Sequence, residues 1–344
     1  MNTDITIKQA IDRVASGSDL SRSETRSVFD RIMSGDASPA QISSLITAMR
    51  MKGETNEEIQ GAASSMRAAA LDVEYPDDDA LLDIVGTGGD EKNTFNVSTT
   101  SSFVAAGAGC VVAKHGNRSV SSSSGSADVL ETLGINIDTN AEQNEQILSQ
   151  AQIAFLFAPA HHPAMKHAIG PRKEIGIRTI FNILGPITNP ASADHYLLGA
   201  YSESVAEKLA HALAGLNTEH ALVVHGSGYD EATLTGPTTV FHVENKTVNR
   251  DRITPDQFGL DPCEEGELTV EGPQESAETI QGIFDGSIRD ARRRMIELNA
   301  GLAIYASRKA DTMQEGIERA KESIESGAAA DALARLADAS QSVQ

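Results

Sequence analysis

The side chains best suited to chemistry fall in three short stretches. In Asp83-Ile84-Val85-Gly86-Thr87-Gly88-Gly89-Asp90, an apolar run that reads as a buried strand meets three glycines within four residues. The glycines force a sharp turn, and small hydroxyl residues from Asn96-Val97-Ser98-Thr99 onward fit the start of a helix. The free N–H groups and positive dipole end of such a helix would cradle a phosphate, although a glycine turn after a strand also serves as a purely structural bend. The second stretch, Lys114-His115-Gly116-Asn117-Arg118, runs into Ser119-Val120-Ser121-Ser122-Ser123-Ser124-Gly125-Ser126. A serine run elsewhere is a flexible linker, but beside two cations a hydroxyl-rich loop can close over phosphates. The third is Asp230-Glu231, after Val223-Val224-His225-Gly226-Ser227-Gly228-Tyr229. Adjacent carboxylates are ordinarily solvated surface; beside a phosphate cradle they suit Mg²⁺, a hard cation that takes carboxylate, water and substrate oxygens.

Other groups invite different chemistry and fit it less well. His161, His162 and His167 suit zinc by type, yet no cysteine lies near and the spacing forms no motif, so supporting or packing roles are expected. His225, Ser227 and Asp230 lie too close in sequence for a hydrolase relay, and no Gly-x-Ser-x-Gly elbow is present. In the block from Arg172 to Pro190, an arginine entering apolar sequence either snorkels from a core helix or binds a carboxylate bidentately. For Arg178 the structural role is favoured; for Arg172 the residues alone leave both open.

Positioning these stretches falls to an α/β sheet. Apolar runs at Leu81 to Val85, Cys110 to Ala113, Ile153 to Phe157, Tyr196 to Gly199 and Ala221 to Val224, separated by helix-length segments, predict a mostly parallel sheet flanked by helices. The candidate stretches then follow strand carboxyl ends, where ligands collect in such sheets. Residues 1 to about 72 read instead as four short helices. Ile7, Ile11 and Val14 recur at helical spacing, and Ser21 with Glu24, Ser38 with Gln41 and Thr55 with Glu58 form capping boxes. Tyr75-Pro76-Asp77-Asp78-Asp79 reads as a linker, and residues 275 to 340 as helical cover.

Composition limits the partners. With Lys+Arg 28 against Asp+Glu 49 among 344 residues, the net charge is -21, which repels nucleic acid and anionic membrane; a polyanionic ligand needs a local basic pocket or a metal. The acidity is spread along the chain, which suggests adaptation to high salt. Cys110 and Cys263 make no disulfide framework, and no run approaches the length of a membrane span, so a cytoplasmic protein is expected.

Taken together, Gly86-Thr87-Gly88-Gly89-Asp90, Asn96-Val97-Ser98-Thr99, Lys114-His115-Gly116-Asn117-Arg118, Gly125-Ser126-Ala127-Asp128, the Arg172 to Pro190 block and Asp230-Glu231 resemble the anthranilate phosphoribosyltransferases. The resemblance implies transfer of phosphoribose from PRPP to the amino group of anthranilate in tryptophan biosynthesis. It implies a homodimer with a small all-α domain, residues 1–72 completed by helices from about 160–190, and a large α/β domain, residues 78–344. It further implies that Gly86, Gly89, Asp90, Thr94, Asn96, Val97, Ser98, Thr99, Lys114, His115, Gly116, Asn117, Arg118, Ser119, Val120, Ser121, Ser122 and Ser126 meet PRPP. Gly86, Asn117, Pro159, His162 and Arg172 would serve anthranilate. Two Mg²⁺ ions per subunit are expected, one on Ser98 and Glu231 and one on Asp230 and Glu231, with Lys114, Asp230 and Glu231 central to catalysis. Ser123 stands where many relatives carry lysine, and Met165 where others carry tyrosine. The rival readings are a pyrimidine nucleoside phosphorylase, which shares the architecture, and a non-catalytic phosphate-ligand sensor or nucleic-acid-binding relative. The Arg172 to Pro190 block disfavours the first, and the carboxylates and acidity disfavour the others.

Overall fold

Side-chain caps define where the N-terminal helices begin. The computed structural model describes residues 5–75, 77, 79–118 and 124–343. Helices α1 (Ile7–Ala15), α2 (Arg22–Met33), α3 (Pro39–Lys52) and α4 (Asn56–Ala68) each start at a reciprocal capping box, from Thr6, Ser21, Ser38 and Thr55. Gly17, Gly35 and Gly53 follow α1, α2 and α3 with φ between 83° and 88°, a conformation open to glycine at little cost. The bundle buries Val28, Phe29, Ile32, Leu45, Ile46, Met49 and Ile59 completely. It also leans on later sequence. Helix α3 packs on the helix Lys166–Ile175, and Phe29 meets Phe181 with ring centroids 5.7 Å apart.

Beyond the linker, seven strands form one sheet: β1 (Leu81–Gly86), β2 (Val111–Gly116), β3 (Ile153–Phe157), β4 (His195–Gly199), β5 (His220–Gly226), β6 (Thr238–Glu244) and β7 (Thr247–Ile253). Their order is β3-β2-β1-β4-β5-β6-β7; the first five are parallel, and β6 and β7 are added antiparallel. The five apolar runs read from sequence are the five parallel strands, buried on both faces. The β6–β7 hairpin was absent from that reading, although Asn245 and Lys246, both at positive φ, make the two-residue turn that joins it. Strand β2 also continues past Ala113, so Lys114 and His115 are strand residues only 3% and 4% exposed.

Helix α5 (Val97–Gly107) follows β1 and is buried almost throughout, its small Thr, Ser and Ala side chains allowing close approach to the sheet. Helix α6 (Ser126–Thr132) follows β2. Four helices close the described chain, Pro273–Phe284, Ala291–Ala306, Met313–Glu325 and Ala328–Ser342, as the helical reading of residues 275–340 expects. Strand order reverses between β1 and β4, and the carboxyl ends there open the crevice in which such sheets take ligands.

Candidate active site

At that crevice the glycine turn and the acidic loop touch. Gly88 N–H donates to Asp230 Oδ2 at 2.6 Å, and a Cβ on Gly86 would lie 2.5 Å from the same oxygen, so a larger residue there would push that carboxylate aside. Gly199, at the end of β4, lies against the Asp230 backbone still more closely: a Cβ there would overlap the Asp230 carbonyl oxygen. The acidic loop is pinned from behind: Asn299, on the helix Ala291–Ala306, both accepts from Ala232 N–H and donates to Ala232 carbonyl, at 3.0 and 2.8 Å. After the turn, Gly88, Gly89, Glu91 and Asn93 all have positive φ, which brings Asp90 back toward the loop.

Three carboxylates meet as a result. Oxygens of Asp90, Asp230 and Glu231 all lie within 4.8 Å of one another. Asp90 Oδ2 and Glu231 Oε2 are buried with no hydrogen-bond partner among the described residues. Burial, then the Asp90 charge, pushes Asp230 up to about 7; burial and Asp230 hold Glu231 well above its ordinary range. Like charges this close, with oxygens left unpaired, suit a hard divalent cation. Ser98, on the first turn of α5, lines the same small cavity as Asp230 and Glu231.

A buried lysine faces the carboxylates. Lys114 Nζ donates to the Ile84 carbonyl at 2.6 Å and to Ser98 Oγ at 3.2 Å. Burial brings its pKa down to about 8, while the charges of Asp83, Glu231 and Asp230 oppose that fall. Asn96 caps the region by accepting from Ser124 and Ser276 hydroxyls, both at 2.7 Å, and Thr99 Oγ1 donates to Ser126 Oγ at 3.1 Å. Thr94 bridges to Thr269, and Val97 is buried. Gly86, Asp90, Ser98, Lys114, Asp230 and Glu231 are thus brought together, with Asn96, Thr99 and Ser126 at the helix ends beside them.

Sequence similarity places the chain in a family. Residues 8–70 match the helical bundle domain of the glycosyl transferase family, and residues 78–330 its a/b domain. The chain is 51% identical to an anthranilate phosphoribosyltransferase of Geobacter sp., over 96% of this chain and 97% of that one. The chain belongs to the anthranilate phosphoribosyltransferase family. Solved structures agree: the Thermus thermophilus anthranilate phosphoribosyltransferase superposes with a TM-score of 0.92 at 38% identity, covering 97% of this chain and 99% of that one. The Saccharomyces cerevisiae anthranilate phosphoribosyltransferase in complex with PRPP and Mg superposes at 0.89 with 31% identity, covering 99% and 100%.

For a member of this family, the remaining expected residues fall in several environments. Gly116 ends β2, and a Cβ there would press on Phe155 at 2.6 Å. Asn117 is exposed just beyond. The Arg118 guanidinium reaches Asp128 at 2.9 Å and Glu131 at 2.6 and 2.8 Å, so in this structure it is engaged on α6. Ser119, Val120, Ser121, Ser122 and Ser123 lie outside the described residues. Arg172 Cζ stands 5.3 Å from the centre of the Phe181 ring with no carboxylate partner among the described residues. Pro159 is exposed on the helical turn Ala158–His161.

His115, His161 and His162 are buried and held by ring and hydrogen-bond contacts. His115 donates from Nδ1 to the Gly185 carbonyl at 3.2 Å and lies 5.1 Å from His162, ring centre to ring centre. His161 Nε2 meets the Asn144 amide at 3.0 Å; burial and His161 bring His162 down to about 4. Arg178 lies beyond the end of the helix Lys166–Ile175; its Nη2 donates to the Gly89 carbonyl at 2.6 Å and its guanidinium covers Tyr201. Sequence reading assigned no role to Asp83, Asn189 or Asn299. A charged residue inside the apolar run Leu81-Leu82-Asp83-Ile84-Val85 was the available signal for the first; nothing local marked the other two.

Proposed function

We propose that this chain transfers the 5-phosphoribosyl group of PRPP to the amino group of anthranilate, releasing pyrophosphate, with the site at the β1–β4 crevice as the place of reaction. The observation that carries this assignment is the meeting of the glycine turn, Lys114 and three carboxylates in one crevice of an acidic protein. Such a site makes a polyanionic sugar phosphate bindable by pairing its charge locally. Asp90, Asp230 and Glu231, with the Ser98 hydroxyl, would hold magnesium, and we favour two ions per subunit. Bound there, the metal would neutralise charge accumulating on the diphosphate as its bond to the sugar lengthens.

The residues divide the work. Turn amides and the Lys114 ammonium face the departing pyrophosphate, where negative charge grows, so their contribution is largest in the transition state. Asn96, Thr99 and Ser126 supply hydroxyl and amide contacts around the phosphates. The aromatic amine is already nucleophilic, so the site's task is to hold it near the sugar carbon, and no general base is assigned. Arg172 orients the anthranilate carboxylate, with Asn117, Pro159 and His162 bordering its path. Residues 1–72 with the segment 160–190 act as one helical body against the larger one, and the working enzyme is a homodimer. Mixing protein, Mg²⁺, PRPP and anthranilate while following anthranilate fluorescence tests the assignment. Loss of signal that requires both PRPP and Mg²⁺ supports it; phosphorolysis of thymidine or uridine without such loss would replace it with a nucleoside phosphorylase.

A further inference from the structure

The backbone ladder between β1 and β2 stops short of the crevice, and two side chains take over its bonds. Register between these strands covers Leu81 with Val111 and Leu82 with Val112. By contrast, β1 runs beside β4 from Leu82 and His195 to Gly86 and Gly199, and β2 beside β3 from Val112 and Ile153 to Gly116 and Phe157. Beyond Leu82, the His115 N–H donates to Asp83 Oδ1 at 3.1 Å, and the Ala113 carbonyl accepts from Asn189 Nδ2 at 2.7 Å. The same Nδ2 donates to Asp83 Oδ2 at 2.8 Å, and Asn189 Oδ1 accepts from Ala191 N–H at 2.8 Å, which fixes the amide's orientation. Asp83 is 0% exposed and Asn189 1%.

We infer that the buried Asp83–Asn189 pair is a positioning device that ends the β1–β2 ladder early and thereby sets where the Lys114 ammonium stands at the diphosphate. An uninterrupted ladder keeps strands about 4.8 Å apart and leaves no place between them for side-chain bonds. Here Lys114, the residue between the two bonded by Asn189 and Asp83, sends its Nζ to the Ile84 carbonyl and Ser98. The Asp83 carboxylate also draws on the Lys114 charge, opposing the effect of its burial. Asn189 belongs to the Arg172–Pro190 block, so the acceptor side of the site and the phosphate side share one buried junction.

The inference rests on Lys114 meeting PRPP, and a double-mutant cycle separates the two ideas. Asp83→Asn keeps an acceptor for His115 but sets an amide against the Asn189 amide. It should raise the KM for PRPP about tenfold or more, as expected for a lost bond to a charged group, while the KM for anthranilate moves little. In a Lys114→Ala background the same change should add less than about twofold, because the path through Lys114 is gone. Asn189→Ala, read the same way and by calorimetric titration with PRPP and Mg²⁺, serves if Asp83→Asn does not fold. Equal effects with and without Lys114, or a fall in active protein with unchanged KM values, would overturn the inference. A normal PRPP KM in Lys114→Ala alone would overturn it together with the site assignment.

Discussion

Arg172 illustrates how a single side chain divides the two substrates. It is half-buried, packs on Phe181 and lacks a carboxylate partner among the described residues, so burial pulls its pKa down from the arginine norm. A ligand carboxylate would relieve that burial, a bond worth about 1.5–3 kcal/mol. Arg172→Ala should therefore raise the KM for anthranilate by roughly ten- to a hundredfold with the KM for PRPP nearly unchanged; equal changes in both would remove it from the acceptor side. Gly86 gives a complementary case at the metal. A methyl group there meets Asp230 Oδ2 at 2.5 Å, so Gly86→Ala should displace that carboxylate and shift the Mg²⁺ dependence of the rate to higher concentration. An unaltered Mg²⁺ titration would show that the loop adjusts without loss of ligand geometry.

At the scale of elements, helix caps and the acidic loop make separable contributions. Ser38 caps α3 through Gln41, far in sequence from the crevice, and Ser38→Ala should cost about 1 kcal/mol in denaturant unfolding without changing either KM. The loop behaves differently, because its carboxyls are strained electrostatically. Asp230 is pushed up to about 7 from 3.8, and Glu231 also lies high, so the folded metal-free protein binds these protons more tightly than the unfolded chain. Stability without metal should therefore fall as pH rises from about 4 to about 7. Protons and Mg²⁺ compete for the same oxygens, so added Mg²⁺ should raise Tm more near pH 8 than near pH 5. An equal rise at both would place the metal elsewhere. These elements were unevenly legible in the sequence. Capping boxes and doubly buried strands leave local marks, so the bundle and the parallel core could be read directly. The β6–β7 hairpin lacked a glycine turn, and its outer strand is polar, so it carried no apolar run. The junction of Asp83 with Asn189 spans 106 residues and becomes visible only when the chain folds.

Across the whole molecule, charge is the dominant quantity. A net charge of -21 opposes compaction, and salt screens such repulsion within about 10 Å at 0.1 M. Tm should rise with added KCl from low ionic strength; a flat profile would mean that the acidic groups are spaced widely enough not to matter. No helix among the described residues is long and apolar enough to cross a membrane. The same surface chemistry governs the outermost strand. β7 carries Arg250, Asp251 and Arg252 in succession and is largely exposed, whereas β6 beneath it is mostly buried. Charged side chains on a sheet's last strand discourage a stranger's backbone from adding itself there. The outer strand is thus a guard as well as a border: cutting away β7 alone would uncover the edge of β6, with Val240, Phe241 and Val243 along a ready template, and fibrous self-association would follow where the intact chain stays dispersed.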